Sequence, residues 1–400
     1  MSTTDIEGWV TSRLGDIGQC LIGLTYSPGD VKRSGTLVLR SSNIQNGRLV
    51  FHDNVHVDSV IPDKIRVREG DILICARNGS RQLIGKSAML DRRVVGQTFG
   101  AFMAVYRSSC NRYLRYFFQS GDFKRQIDDH LGATINQITN ASLRSFIVAL
   151  PSPAEQEAIV SRLTDVDRYI AALERMITKK QAIKYGVMQQ LLTGRTRLSG
   201  FSAPWNTRHL LDLVSLKSGQ VDPRRPEYQA LPLIAPDHVE SATGRLLKVE
   251  TARVQGAISG KYLAASGDVI YSKIRPYLQK AVQVNGPALC SADMYPLTPK
   301  PGVDGAFILH TLLSERFTNF AVSVSARSGI PKINRTELAE FTLPAPDLSE
   351  QQAISSAVNQ MDEQIFALEK RLAKQRSVKQ GMLQELLTGR TRLPVKESAA

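Results

Sequence analysis

Cysteine is scarce in this chain of 400 residues. Its four cysteines (Cys20, Cys75, Cys110, Cys290) include no Cys-x-x-Cys pair, which argues against a zinc ribbon or a disulfide framework and leaves reduced, mostly buried thiols. No uninterrupted apolar run approaches the roughly 18 residues that span a bilayer. The start Met1-Ser-Thr-Thr-Asp-Ile-Glu is neither basic nor apolar enough for a signal peptide, so a cytoplasmic protein is expected. Catalytic signatures are missing as well. Five residues separate Gly79 from Gly85, where a phosphate loop needs four. His52 and His56 lack the further ligands of a zinc site, and neither a Gly-x-Ser-x-Gly elbow nor a Gly-x-Gly-x-x-Gly fingerprint occurs. No metal site is expected, and no catalytic residue can be assigned.

Negative charge is also short. Against 51 Lys plus Arg stand 37 Asp plus Glu, a net charge of +14 that makes polyanions, nucleic acid first, the natural partners. Tryptophan occurs twice, at Trp9 and Trp205, and these two residues open two halves of one duplicated sequence. The octet Leu191-Leu-Thr-Gly-Arg-Thr-Arg-Leu198 recurs unchanged at Leu386–Leu393, an offset of 195 residues, and 22 of the 44 positions from Glu155 to Leu198 are identical to their counterparts. Upstream, Ile135, Ile138, Leu143 and Phe146 answer Ile330, Ile333, Leu338 and Phe341. Beyond that the copies diverge, apart from Gly47-Arg48-Leu49 against Gly244-Arg245-Leu246 and Gly70-Asp-Ile-Leu-Ile74 against Gly267-Asp-Val-Ile-Tyr271. Such a period is too long for a solenoid. It implies a pseudo-two-fold molecule whose halves each carry a variable region and a matched segment.

The matched segment predicts a long helix, from about Glu155 to Leu192 in the first copy. Pro151 and Pro153 disfavour helix before it, Ser152 or Ala154 (Ser349 in the second copy) stands at the N-cap, and Glu155 and Glu350 fall in the first turn, where the macrodipole favours them. Apolar residues then alternate in steps of four and three at Ile159, Leu163, Val166, Ile170, Leu173 and Ile177, and at Ile354, Val358, Met361, Ile365, Leu368 and Leu372. That is the seam of a left-handed coiled coil. At 1.5 Å per residue the helix is about 57 Å long, and its narrow stripe calls for the second copy as an antiparallel partner; the alternative is that each helix caps its own domain. Gly194 and Gly389 are C-terminal stops. Gly186 and Gly381 lie at matched positions inside the helices, for close backbone approach at the helix crossing or against another subunit, or as a shared hinge.

The variable regions read as mixed α/β. Each Gly-Asp turn feeds a short buried strand that ends in a polar loop: Arg77-Asn78-Gly-Ser-Arg81-Gln82 with Lys86 in the first half, and Lys273-Ile-Arg275-Pro-Tyr277-Leu-Gln279-Lys280 in the second. A second polar cluster, Asn136-Gln137 with Asn140, and Lys332 with Asn334-Arg335, precedes each long helix. These are side chains that contact base edges and phosphates. The divergence is greatest around the loops, as two readers of different sequences would show.

Two variable domains, each closed by a Leu-Pro-x-Pro, Glu-Gln-x-Ala-Ile helix and a Leu-Leu-Thr-Gly-Arg-Thr-Arg-Leu exit, together with Gly267-Asp-Val-Ile-Tyr-Ser-Lys-Ile-Arg-Pro-Tyr277, resemble the specificity subunit of type I restriction-modification systems. The resemblance covers essentially the whole chain and implies an α+β fold: two mixed α/β target recognition domains separated by two long antiparallel, coiled-coil-like helices. The division expected is 1–152 for the first recognition domain, 153–198 for the first spacer helix, 199–346 for the second domain, and 347–400 for the second helix and tail. It implies further that each domain reads one half of a split asymmetric site in double-stranded DNA and that the helices dock two DNA adenine methyltransferase subunits. ATP-dependent motor-nuclease subunits join them where the complex also cleaves, with S-adenosylmethionine and ATP bound by these partners and no cofactor in this chain. The first half lacks the Ile-Arg-Pro-Tyr of the second. The competing reading is a scaffold that holds two protein partners, its basic charge incidental.

Overall fold

A computed structural model describes residues 7–131, 136–326 and 329–394 of the chain. Of the repeat positions noted above, Ile135 lies outside the described residues. The chain divides into two compact units, residues 1–172 with 371–400, and residues 173–370. Each unit holds one variable region, the first part of the long helix that follows it, and the last part of the other long helix.

The two variable regions share one plan. In the first, an antiparallel sheet runs in the spatial order Gln19–Ile22, Met103–Arg107, Ile72–Cys75, Ser87–Met89; in the second, Val214–Leu216, Met294–Pro299, Val269–Ser272, Ala281–Gln283. The strand after each Gly-Asp turn is central and wholly buried. Because side chains alternate along a strand, Ile72 and Ile74 enter the core that the helices cover, and Leu73 and Cys75 enter a second core beneath a smaller sheet. The Gly-Asp repeat has a second use. Asp71 and Asp268 are buried carboxylates, the first gripped by Arg107 at 2.7 Å and the second by Lys217 at 2.7 Å. Charge buried in this way is tolerable only when paired.

Each half also opens and closes on the same strand pair. Val10–Arg13 lies antiparallel to Ile147–Leu150, and Asn206–His209 to Thr342–Ala345. The long helices follow, Pro153–Leu191 and Leu348–Leu387. Pro153 occupies the first helical position, where its missing N–H costs nothing, and the Ser152 hydroxyl accepts from Glu155 N at 3.3 Å. In the second copy the cap is not Ser349 but Asp347, whose carboxylate accepts from Glu350 N at 2.9 Å. Gln156 and Gln351, identical in the repeat, each donate to the carbonyl of the proline five residues earlier, at 3.0 and 2.8 Å. Among the described residues no helix is long and apolar enough to cross a membrane.

The apolar stripe behaves differently along its length. Ile159 and Leu163 join the first domain's core together with Leu383, Leu386 and Leu387 from the end of the other helix. Ile354 and Val358 do the same in the second unit with Met188, Leu191 and Leu192. Both packing readings therefore hold: each helix caps its own domain, and the start of one helix lies antiparallel to the end of the other. Farther along, Ile170, Leu173, Ile177 and Ile365 are buried, but Val166, Met361, Leu368 and Leu372 are only partly so. The uniform seam expected from the heptads is thus interrupted, because the side chains between the stripes are polar and form ion pairs. Lys184 meets Asp362 at 2.5 Å in one unit, and their counterparts Lys379 and Asp167 meet at 2.7 Å in the other. Gly186 and Gly381 do not mark a close approach within the chain: a Cβ at either would meet nothing within 4 Å.

The repeated motifs converge on a second duplicated contact. Glu350, 1% exposed, accepts from Arg197 through both oxygens at 2.5 and 2.6 Å and from Trp205 Nε1 at 2.9 Å. In the other unit Glu155 accepts from Arg392 at 2.5 and 2.7 Å and from Trp9 Nε1 at 3.2 Å. Each guanidinium also lies over the indole it shares the carboxylate with, at 5.2 and 5.6 Å. The rest of the octet brings the arginine there. Its first two leucines are buried, its first threonine hydroxyl bonds back into the last helical turn, and Gly194 and Gly389 turn the chain at φ 70° and 65°. Glu350→Gln removes the charge that two donors were placed to meet; the full chain should melt several degrees lower, while Glu363→Gln, exposed on the same helix, leaves the midpoint unchanged.

One domain-to-helix contact differs between the units. Arg115 donates to Thr164 at 2.8 Å and Tyr116 lies 3.2 Å from the same hydroxyl, whereas Asn359, the counterpart of Thr164, faces His310, whose Nε2 lies 2.8 Å from its Oδ1. Burial pushes the His310 imidazole down to about 4, with the Asn359 bond opposing and the Lys184 charge adding. The unfolded chain then binds a proton near pH 6.5 that the folded unit refuses until about pH 4. Stability is therefore complete above pH 6.5 and falls on acidification through that window. His310→Gln, which keeps a donor toward Asn359, should flatten the slope of melting temperature against pH between 6.5 and 4; an unaltered slope would place the proton uptake elsewhere.

Candidate nucleic-acid interface

The two polar clusters of each half come together in space. The buried central strand ends, and its loop is stitched by main-chain atoms to the segment that precedes the long helix. In the first half Arg77 bridges Gln137, and Asn78 N donates to Asn136 O at 3.3 Å; in the second Ile274 bridges Lys332, and Arg275 N donates to Pro331 O at 2.8 Å. The Cys75 thiol and the Ser272 hydroxyl each reach the carbonyl two residues on, at 3.7 and 3.1 Å. These bonds set the register between the loops. Arg77 corresponds to Ile274 and Asn78 to Arg275, a correspondence that loop composition does not reveal.

Several of the polar side chains hold the loops. The Lys86 ammonium donates to Ser41 O at 3.3 Å and the Lys280 ammonium to Pro236 O at 2.6 Å. Both carbonyls begin a short 3-10 turn of the same unit. Asn78 donates to the Ser41 hydroxyl at 3.3 Å and accepts from Ser80 N at 3.0 Å, while Asn136 donates to Gly79 O at 3.2 Å. Gln279, in the left-handed region at φ 49°, donates to Thr318 at 2.8 Å. Asn334 caps the helix Arg335–Ala339, accepting from Glu337 N at 2.9 Å, and Arg335 donates to Lys217 O at 2.7 Å. Asn140 donates to Cys20 O at 3.2 Å.

The remaining candidates form the outer face. Arg77 is exposed, its guanidinium 5.1 Å above the Phe102 ring. Arg81 is exposed and 3.7 Å from Asp128, and its neighbour Gln82 and the Gln137 that bridges Arg77 are exposed too. In the second half Arg275, Tyr277 and Lys332 are exposed, and Lys273 lies over the Tyr295 ring at 5.3 Å. Burial raises the Tyr295 hydroxyl above its usual range, with the Arg335 charge opposing, so this ring stays a neutral platform beneath two cations. Arg275 adopts φ 49° immediately before Pro276, which turns the loop tip outward on a short 3-10 segment, Pro276–Leu278. Each half thus presents cations and amides on a platform fixed at its base. Phe102, 59% exposed, and Asp293, also exposed, stand beside these loops and escaped sequence reading because each merely precedes an apolar strand.

The chain matches the type I restriction modification DNA specificity domain twice, over residues 6–185 and 203–376. It belongs to that family. Among its relatives, the EcoDI specificity subunit of Escherichia coli is 31% identical over 65% of this chain and 64% of that one, so the chain spans just under two thirds of that relative. The StySPI specificity subunit of Salmonella potsdam is 25% identical over 92% of this chain and 84% of its own. Two solved structures share the fold: a chain from work on complex assembly and conformational transition of the type I R-M system (TM-score 0.60, 18% identity, 96% of this chain and 99% of that one), and the type I S subunit of M. genitalium (TM-score 0.56, 13% identity, 97% and 98%). Family and fold agree on two mixed α/β domains with two long antiparallel helices.

Proposed function

We propose that this chain is the sequence-reading subunit of a type I restriction-modification complex and that each domain reads one half of a split, asymmetric DNA target. The observation that carries the reading is the loop pair: one backbone frame, built twice, with tips of different chemistry (Arg77, Arg81, Gln82 against Lys273, Arg275, Tyr277). A net charge of +14 supplies sequence-independent attraction to phosphate, and the tips supply the discrimination. The long helices dock two adenine methyltransferase subunits, and motor-nuclease subunits join where the complex cleaves. S-adenosylmethionine and ATP are bound by those partners, this chain carries no catalytic step, and the complex works in the cytoplasm. Family membership favours this over the scaffold reading.

Single-molecule sequencing of DNA from cells with and without the gene tests the proposal: methyladenine should vanish at one split motif when the gene is removed. Within that assay Arg275→Ala is expected to relax or abolish preference in one half of the motif and leave the other half intact, since an arginine paired with guanine is worth roughly 1 to 3 kcal/mol of discrimination. A change in both halves together would remove the two-reader assignment.

A further inference from the structure

Phe102 and Asp293 occupy the same place in the two halves. Each immediately precedes the strand that flanks the buried central one, and Cys75 pairs with Met103 as Ser272 pairs with Met294. Each offers its carbonyl to the amide that begins the loop: Phe102 O accepts from Ala76 N and Arg77 N at 3.0 and 2.9 Å, and Asp293 O from Lys273 N at 2.9 Å. The backbone of this residue is an anchor in which its side chain takes no part. Phe102 is 59% exposed, and its ring carries the Arg77 guanidinium at 5.1 Å, so the two side chains present one surface. Asp293 is exposed, and among the described residues its carboxylate has no hydrogen-bond or ion-pair partner, although Lys273 is near in the fold.

An unpaired carboxylate is out of place on a face meant for a polyanion. Within a screening length of about 8 Å it repels phosphate, so it weakens binding unless it meets a donor. The major-groove edges restrict which base can supply one. Guanine shows two acceptors and thymine an acceptor and a methyl group; adenine's amino group has an acceptor beside it, and only cytosine offers an amino donor alone. An exposed phenyl ring finds its counterpart in the thymine methyl.

Resting on the two-reader proposal above, we propose that this matched position is a specificity-determining residue in each half: Asp293 accepts a hydrogen bond from the amino group of a cytosine, and Phe102 packs against the methyl of a thymine. The position is thus occupied by opposite chemistries on one backbone frame. Since only main-chain atoms of the residue hold the loop, the side chain can be exchanged without loss of the anchor.

The test uses the full chain produced with its methyltransferase partners, with methylated motifs read by single-molecule sequencing and binding read on a duplex library randomised at each motif position. Asp293→Asn should lower cytosine discrimination at one position of one half-site by about tenfold, the size of one well-placed contact, and should raise affinity for non-target DNA. Phe102→Ala should relax a thymine at one position of the other half-site. Thermal melts unchanged from the parent establish that both variants fold, as exposed side chains predict. If Arg275→Ala alters its half-site while Asp293→Asn and Phe102→Ala leave every base preference intact, this assignment is overturned and the two-reader proposal stands. If Arg275→Ala is silent too, the loops do not face DNA and both fall.

Discussion

A carboxylate taken out of water must be met, and the need to meet Glu155 and Glu350 organises this molecule. Two donors of different kinds converge on each: the guanidinium at the exit of one long helix and the indole at the entry of a half. Leaving such a buried charge half-paired costs several kcal/mol, so the helix exit, the helix start and the half's opening strand are held to one another. Since the glutamate also sits in a first helical turn, its negative charge lies at the positive end of the macrodipole. Residues identical between the copies build this contact and the paired Lys184–Asp362 and Lys379–Asp167 bridges.

Around that fixed frame the two halves solve equal problems with unequal chemistry. The Gly-Asp carboxylate is neutralised by arginine in one half and by lysine in the other. The contact between domain helix and spacer helix is Arg115–Thr164 in one and a neutral, buried His310–Asn359 in the other. Geometry persists where identity does not, because what must be conserved is a donor facing an acceptor at a given distance.

How far the chain could be read before its structure was known follows from the same distinction. The helices were legible from the heptad spacing, and their ends to within two residues, since caps and left-handed glycines act locally. The central strands were legible because Ile72–Cys75 and Val269–Ser272 are apolar on both faces. Local patterns did not reveal that Trp9, Glu155 and Arg392 meet, being far apart in sequence, nor that Lys86, Lys280, Asn334 and Arg335 spend their polar groups on carbonyls and helix ends rather than on the open face. Composition identifies a polar side chain but not its partner. The matched Gly186 and Gly381 show the same limit: a glycine in a helix has several physical uses, and the open space beside both removes only close packing within the chain.

The main-chain bonds that tie each loop to the carbonyl of Phe102 or Asp293 and to the segment before its long helix have a consequence for the history of such molecules. Amide-to-carbonyl bonds do not depend on which side chain is present, so the exposed side chains of Arg77, Gln82 and Tyr277 and those at positions 102 and 293, unlike the side chains that hold the loops, are free of the requirements of folding. Substitutions there alter what is read without endangering the fold that presents it. Selection for a new target therefore need not pass through unstable intermediates, and the two halves can diverge independently while the frame that couples them to their helices remains the same.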